Sequence, residues 1–291
     1  MLPQNSQLLA GLIDHDIEFH PEDFRKICAV VQGIAGINLS DSSNTLVFSR
    51  LLKHVRRLNC SNFAAYLDIV TSADRRNELD TMITALTTNT TRFFREPYHF
   101  DILRENVLPD LISRAKSGGR IRLWSAGCSS GEEPYTMAAV LLSLFPDANA
   151  YDVKILATDI NPNVLATAES GIYKNSDIES VPEKMKKFLF LDRHSKNDHV
   201  EIKPDLRKLI TFKYLNLIDQ WPISGPFDAI FCRNVAIYMD EATQTRLWQR
   251  FDSILDAGGY LFIGHSERLG VERADTLRLC GKTCFVKIGD V

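Results

Sequence analysis

Residues 87–100 read TTNTTRFFREPYHF, a run of threonines and an asparagine that ends on an aromatic pair held between Arg92 and Arg95. Hydroxyls and an amide at that density supply hydrogen bonds to a polar ligand, and a guanidinium fork fits a carboxylate. Further on, LWSAGCSSGEEPY sets Gly127 and Gly131 among small residues, so backbone can approach a ligand closely before a helix that begins near Pro134. Phosphate-binding loops leave the helix N-terminus open for the anion. Here Glu132 and Glu133 occupy it, and no Gly-Lys-Ser/Thr follows. Nucleoside triphosphates and NAD are therefore disfavoured, and a cationic ligand is favoured. The plainer alternative is that the two glutamates only complement the helix dipole, worth ~0.3–1 kcal/mol each.

S-adenosylmethionine has the required profile: a sulfonium, an ammonium and no phosphate. Asp159 closes the run VKILATD, at the carboxyl end of a second strand, where an acid accepts hydrogen bonds from ribose hydroxyls. An aspartate there can also serve only as a cap for the helix that Asn161 and Pro162 begin. The third site strand runs into FDAIFCRNVAIYMD. Methyltransferases acting on base amines place Asn or Asp before Pro-Pro-aromatic at this point; Arg233, Asn234 and Val235 stand here instead, which argues against a nucleobase amine. Tyr238, four residues after Asn234, can face the same cleft.

Positioning these residues takes an α/β framework. From Pro21 to about Leu86 apolar residues recur three and four apart, with N-caps expected at Asp41, Ser61 and Ser72, which reads as a small helical module. From about Arg120 short apolar runs alternate with helices, the pattern of a mostly parallel, Rossmann-like sheet covered on both faces. The last helix of that series holds Leu247, Trp248, Phe251, Ile254 and Leu255 and is expected to close at Gly258 and Gly259. The charged stretch 175–217, with HVEI and LITFKYL, implies a small β insertion, and LRLC-Gly281-CFVKI an antiparallel edge hairpin. The domain expectation is a helical module over 1–86 and an α/β domain over 87–291, with the insertion around 175–208.

The 291 residues are 45% apolar with a net charge of −3, an ordinary soluble composition without a basic field for nucleic acid or membrane surfaces. Six scattered cysteines, of which only Cys280 and Cys284 are close, read as reduced cytosolic thiols rather than a metal site. With no secretory leader and no run of apolar residues long enough to span a bilayer, the expected location is the cytoplasm.

Taken together, ALTTNTTRFFREPYHF, LWSAGCSSGEEPY, FDAIFCRNVAIYMD and GGYLFIGHSE resemble the CheR family, the chemotaxis receptor glutamate O-methyltransferases, in order and at similar spacing from about residue 20 to the end. The resemblance implies a helical N-terminal domain, then a seven-stranded class I S-adenosylmethionine-dependent domain with an inserted β subdomain. It carries the cofactor contacts onto Asn89, Thr91, Arg95, Gly127, Glu133, Asp159, Asn216, Leu217, Asn234 and Val235. Arg95 and Tyr238 fall nearest the methyl transfer, and S-adenosylhomocysteine is the implied product. The loop departs from relatives that carry alanines where Gly127, Cys128 and Ser129 stand, which makes Cys128 a possible reactive neighbour. Phe93 and Phe94 are expected to close the site against water, and His265 either to orient a site loop or, the favoured reading, to be a satisfied core histidine.

The implied substrate is a glutamate carboxylate in the cytoplasmic helical region of a methyl-accepting receptor. In RLLKHVRRL a helix puts Arg50, Lys53, His54 and Arg57 within an arc of about 100°, opposite Leu51, Leu52, Val55 and Leu58. Such a stripe is by itself as readily a solvated face; in the family a basic helix of this kind approaches acidic receptor helices, so these four residues are the docking stripe that the resemblance implies. The other readings are a member that binds without turnover and a carboxyl methyltransferase for a non-receptor acceptor.

Overall fold

The computed structural model describes residues 12–14, 17–191, 198–270 and 275–289. The chain divides into two compact units, Met1–Thr88 with Tyr238–Asp240, and Asn89–Ile237 with Glu241–Val291. No described helix is long and apolar enough to cross a membrane.

The first unit consists of the hairpin β1 (Leu12–Asp14) and β2 (Ile17–Phe19), then α1 (Pro21–Ala35), α2 (Asn44–Arg57), α3 (Phe63–Val70) and α4 (Arg76–Leu86). Each helix buries the apolar stripe its spacing creates, as with Phe24, Ile27, Val31 and Ala35 on α1 and Val47, Phe48, Leu51 and Val55 on α2. Phe19 anchors the centre, its ring 4.5 Å from Phe63 and 5.7 Å from Phe48. The caps differ from those expected. Asn62, not Ser61, caps α3, its side chain accepting from the Ala65 N–H at 2.8 Å. Asp41 lies inside a 3-10 turn, and Ser72 stands at the N-cap position of another but turns its hydroxyl back to the Ile69 carbonyl at 2.8 Å instead of capping it.

The second unit begins with α5 (Tyr98–Ile102), which passes through a π turn at Leu103–Val107 into α6 (Leu108–Lys116). Then follow β3 (Ile121–Ala126), α7 (Glu132–Leu144), β4 (Val153–Asp159), α8 (Pro162–Ser170), β5 (Ile172–Lys174), α9 (Glu183–Leu189), β6 (His199–Glu201), α10 (Pro204–Leu209) and β7 (Ile210–Tyr214). β8 (Phe227–Cys232), α11 (Glu241–Ile254), β9 (Leu255–Ile263), β10 (Leu277–Gly281) and β11 (Cys284–Lys287) complete it. The main sheet has the order β10-β11-β9-β8-β3-β4-β7, parallel except for the β10 and β11 edge. Every residue of β8 is buried, as expected of a strand covered on both faces.

Two elements correct the sequence reading. Gly258 and Gly259 do not close α11; they lie within β9, where Gly258 takes a φ of 76°. LITFKYL supplies β7 of the main sheet, pairing Ile210 to Ile155 through Tyr214 to Asp159, while only β5 and β6 form the small antiparallel pair.

Candidate functional site

β3 lies between β4 and β8, so the chain leaves its carboxyl end at the point where the strand order reverses, a natural ligand crevice. The Gly127 and Cys128 N–H groups both donate to the Thr158 carbonyl at 2.8 Å. The Asp159 carboxylate accepts from the Ser129 N–H at 2.8 Å and the Asn161 N–H at 2.9 Å, bracing the loop against β4. Ser129 Oγ donates to the Asn89 carbonyl at 2.8 Å, tying the threonine-rich run to the same loop. Within that run Arg95 Nη1 donates to the Thr90 carbonyl at 2.8 Å. Leu215 N–H donates to the Asp159 carbonyl at 3.0 Å and so brings Asn216 and Leu217 beside Asp159. The Asn216 side chain shapes that turn, accepting from Ile218 N–H at 3.2 Å and donating to Asp219 at 3.1 Å.

Left-handed backbone concentrates here: Phe94, Glu96, Ser129 and Asn234 have φ of 54°, 55°, 50° and 60°. Such residues persist only where surrounding contacts fix them, as at ligand sites. Gly127, at φ 85°, is doubly constrained, because a Cβ there would run into the Val235 side chain.

Beneath the crevice lies a charged network that the sequence reading missed. Arg233, its side chain 2% exposed, reaches Glu133 at 3.0 Å and Glu96 at 3.4 Å and donates to the Arg95 carbonyl. Ser125 Oγ holds the other Glu133 oxygen at 2.7 Å. Burial would raise the Glu96 carboxyl, but Arg233 and the bonds from His265 outweigh it and bring it down to about 2. His265 is therefore no core histidine: it is exposed, with Nδ1 2.8 Å from Glu96. Its neighbour Glu267 is the buried residue, accepting N–H groups of Asn234 at 3.2 Å, Val235 at 2.9 Å, Ile237 at 3.3 Å and Gly264. One carboxylate thus pegs the whole loop after β8.

His99 completes the network. Its Nε2 lies 3.0 Å from the Lys282 carbonyl, which can only accept, so this nitrogen carries the hydrogen. Burial and the nearby Arg233 depress its pKa to about 4. The folded state thus takes up this proton later than the unfolded chain does, at about 6.5, and stability falls as pH drops from about 6.5 to about 4, by about 3 kcal/mol in total. His99→Gln is expected to flatten that part of the stability curve, checked by urea unfolding across the window; an unchanged slope assigns the acid loss elsewhere.

Residues 22–87 match the CheR methyltransferase, all-alpha domain, and residues 89–286 the CheR methyltransferase, SAM binding domain. The chain belongs to the CheR methyltransferase family. A probable chemotaxis protein methyltransferase of Rhizobium etli is 47% identical over 252 residues, 86% of this chain and 94% of that one. Chemotaxis protein methyltransferases of Borreliella burgdorferi and Escherichia coli are 39% and 37% identical, over 87% and 90% of this chain and 90% and 89% of theirs.

As a CheR methyltransferase the chain uses S-adenosylmethionine, on a Rossmann-like class I fold. The residues at the carboxyl edge fit that cofactor. Asn234 Oδ1 is buried and has no hydrogen-bond partner among the described residues, an acceptor left for a ligand donor. Gly127 keeps backbone open beside Val235, and the helix behind the loop begins with two carboxylates, which suits a cation and repels phosphate.

Other residues singled out in the sequence have these surroundings. Phe93 is fully buried against Tyr173 at 5.0 Å and Phe190 at 5.5 Å, so it fixes the run to the core, while Phe94 is half-buried against Phe100 at 5.7 Å. Burial pushes the Cys128 thiol well up, which makes it inert rather than reactive. Thr91 is half-buried. Tyr238 ends a 3-10 turn and groups with the N-terminal unit, where its carbonyl accepts the Asn38 N–H at 2.6 Å.

The basic helix is also partly committed within its own unit. Arg50 donates to the Leu86 and Thr87 carbonyls at 3.1 and 2.9 Å, and Arg57 pairs with Glu78. His54 is held below the usual histidine range by burial and by Lys53 and Arg57, with both ring nitrogens buried and unbonded among the described residues. Lys53, by contrast, is exposed.

Proposed function

We propose that this chain transfers the methyl group of S-adenosylmethionine to glutamate side-chain carboxylates in the cytoplasmic helical region of methyl-accepting chemotaxis receptors, giving glutamate methyl esters, and that it works in the cytoplasm. The observation that carries the reading is the near full-length match to chemotaxis protein methyltransferases, joined to a site with a cation at the crevice.

When bound, S-adenosylmethionine supplies an electrophilic methyl on sulfur. A glutamate carboxylate, with a pKa of about 4.3, is already ionised at neutral pH and needs no general base. The protein's task is positioning and exclusion of water. In this reading Arg95 and the Tyr238 hydroxyl orient the incoming carboxylate. Asn234 and Val235 hold the amino-acid end or the adenine face, with Gly127 and Glu133 beside them and Asn89 and Thr91 adding polar contacts. Asp159 takes the ribose, and Asn216 and Leu217 flank the adenine. Asp159→Ala is expected to weaken cofactor binding by roughly 10- to 100-fold, the loss of charge-assisted hydrogen bonds. Calorimetry with S-adenosylhomocysteine tests it, and wild-type affinity removes the ribose assignment.

The basic arc of α2 is the proposed docking stripe. Because Arg50 also caps α4 and Arg57 pairs within the unit, charge reversal at Lys53 is the cleaner probe. Lys53→Glu is expected to raise the receptor KM about threefold and to flatten its salt dependence, as a rim charge does. An unaltered KM makes the arc a solvated face.

The function itself is tested with methyl-labelled cofactor and chemoreceptor-containing membranes. Base-labile, volatile label on a receptor-sized band, absent with Arg95→Ala, is the expected result. Cofactor binding without receptor label overturns the receptor assignment.

A further inference from the structure

Cys280 and Cys284 stand across the tip of the β10–β11 hairpin with their sulfurs 3.4 Å apart. The ladder explains the approach. Gly281 pairs with Cys284 around the turn Lys282–Thr283, and the register slips between Leu279 and Gly281. Cys280 is thus the extra residue of a bulge, which re-aims its side chain toward Cys284. The two thiols differ in access: Cys280 is exposed and Cys284 fully buried. They also differ in acidity. The hydrogen bond with Cys284 holds the Cys280 thiol below its ordinary value, and the same bond, with burial, pushes Cys284 up. Among the other cysteines Cys60, Cys128 and Cys232 are buried, and Cys28 is half-buried and raised by burial. An accessible, acidified thiol beside a second thiol is the arrangement of a redox-active pair.

We propose that Cys280 and Cys284 form a reversible intrachain disulfide, and that its formation is felt at the Arg233 network through His99. The oxidant is a hydroperoxide. The Cys280 thiol gives up its proton and the thiolate attacks one peroxide oxygen; the S–O bond forms as the O–O bond breaks, and the departing hydroxide or alkoxide takes up that proton to leave as water or an alcohol. Cys284 sulfur then attacks the resulting sulfenic sulfur, the S–S bond forms, the S–O bond breaks and water leaves. Two thiols have lost two electrons to the peroxide, and a dithiol reverses the change by exchange.

The sulfurs must close from 3.4 Å to about 2.05 Å, and the two cysteines flank the turn that holds His99. His99 Nε2 lies 3.0 Å from the Lys282 carbonyl and 3.1 Å from Thr283 Oγ1, while its Nδ1, without the hydrogen in this tautomer, packs 3.5 Å from Glu96 with no hydrogen bond to it, so the link to Glu96 is one of packing. Glu96 is a partner of Arg233, whose other carboxylate is Glu133. Movement of the turn therefore bears on a group at the cofactor loop.

The test is peroxide treatment of the full chain, followed by peptide mass mapping and calorimetry with S-adenosylhomocysteine. Expected are the loss of two hydrogens within the peptide holding both cysteines and a change in affinity of roughly threefold or more, in the range of couplings through packed networks. Both effects should reverse with dithiothreitol and be absent in Cys280→Ser and Cys284→Ala. Oxygen added to Cys280 without a crosslink overturns the disulfide. A crosslink with unchanged affinity overturns the coupling through His99.

Discussion

Arg233→Met is expected to lower stability by about 3 to 5 kcal/mol, the usual loss when one partner of a buried ion pair is removed, and to reduce methyl transfer by at least ~10²-fold. Methionine fills much of the arginine's volume, so the effect is electrostatic rather than a cavity. Without the guanidinium, Glu96 and Glu133 lose the cation between them, and the Arg95 carbonyl loses its donor. Glu133 would keep only the Ser125 hydroxyl.

The pH dependence separates this account from a packing defect. In the wild type Glu96 titrates at about 2 against an ordinary 4.5, so its contribution is present above about 4.5 and is lost as pH falls toward 2. Arg233→Met removes the part of that contribution that Arg233 supplies and leaves the bonds from His265, so its deficit should be largest near neutral pH and shrink as the solution is acidified below 4.5. Urea unfolding at several pH values measures it. A deficit that is constant with pH would mean lost packing. Arg233→Lys should recover only part, because an ammonium cannot span two carboxylates and a carbonyl as the guanidinium fork does.

That network was hidden from the sequence for a physical reason. Helix α1 and strand β8 announce themselves by local periodicity, and Gly127, Asp159 and Asn234 by their place after strands. Glu96, Arg233 and Glu267 carry no such mark, because their partners come from distant segments: Arg233 reaches back to Glu96 and Glu133, and Glu267 to the Asn234 loop. The tetrapeptide GHSE drew attention to its histidine, yet its glutamate is the buried peg. Gly258 and Gly259 show the opposite failure, since glycines after a helix signal termination whether or not a strand continues through them. LITFKYL has the composition of any strand; only pairing with β4 assigns it to the main sheet. The charge arc on α2 was visible, whereas the Arg57 partner on α4 was not.

Arg95→Lys is the second large effect, and it bears on the chemistry rather than the fold. Arg95 is half-buried, and its backbone is held from two sides: the residues before and after it have φ of 54° and 55°, and its carbonyl accepts from Arg233. Lysine keeps the charge and leaves that backbone intact. It loses the planar fork, of which one nitrogen is already spent on the Thr90 carbonyl at 2.8 Å and the rest remains to orient a carboxylate. Turnover is expected to fall ~10²-fold, the scale of a misplaced reactant. Thermal stability and calorimetric affinity for S-adenosylhomocysteine should stay near wild type. A loss confined to receptor KM would assign Arg95 to docking, and equal losses of turnover and cofactor affinity would assign it to the cofactor. Loss of turnover alone is the pattern that belongs to a residue aiming the glutamate oxygen at the methyl group.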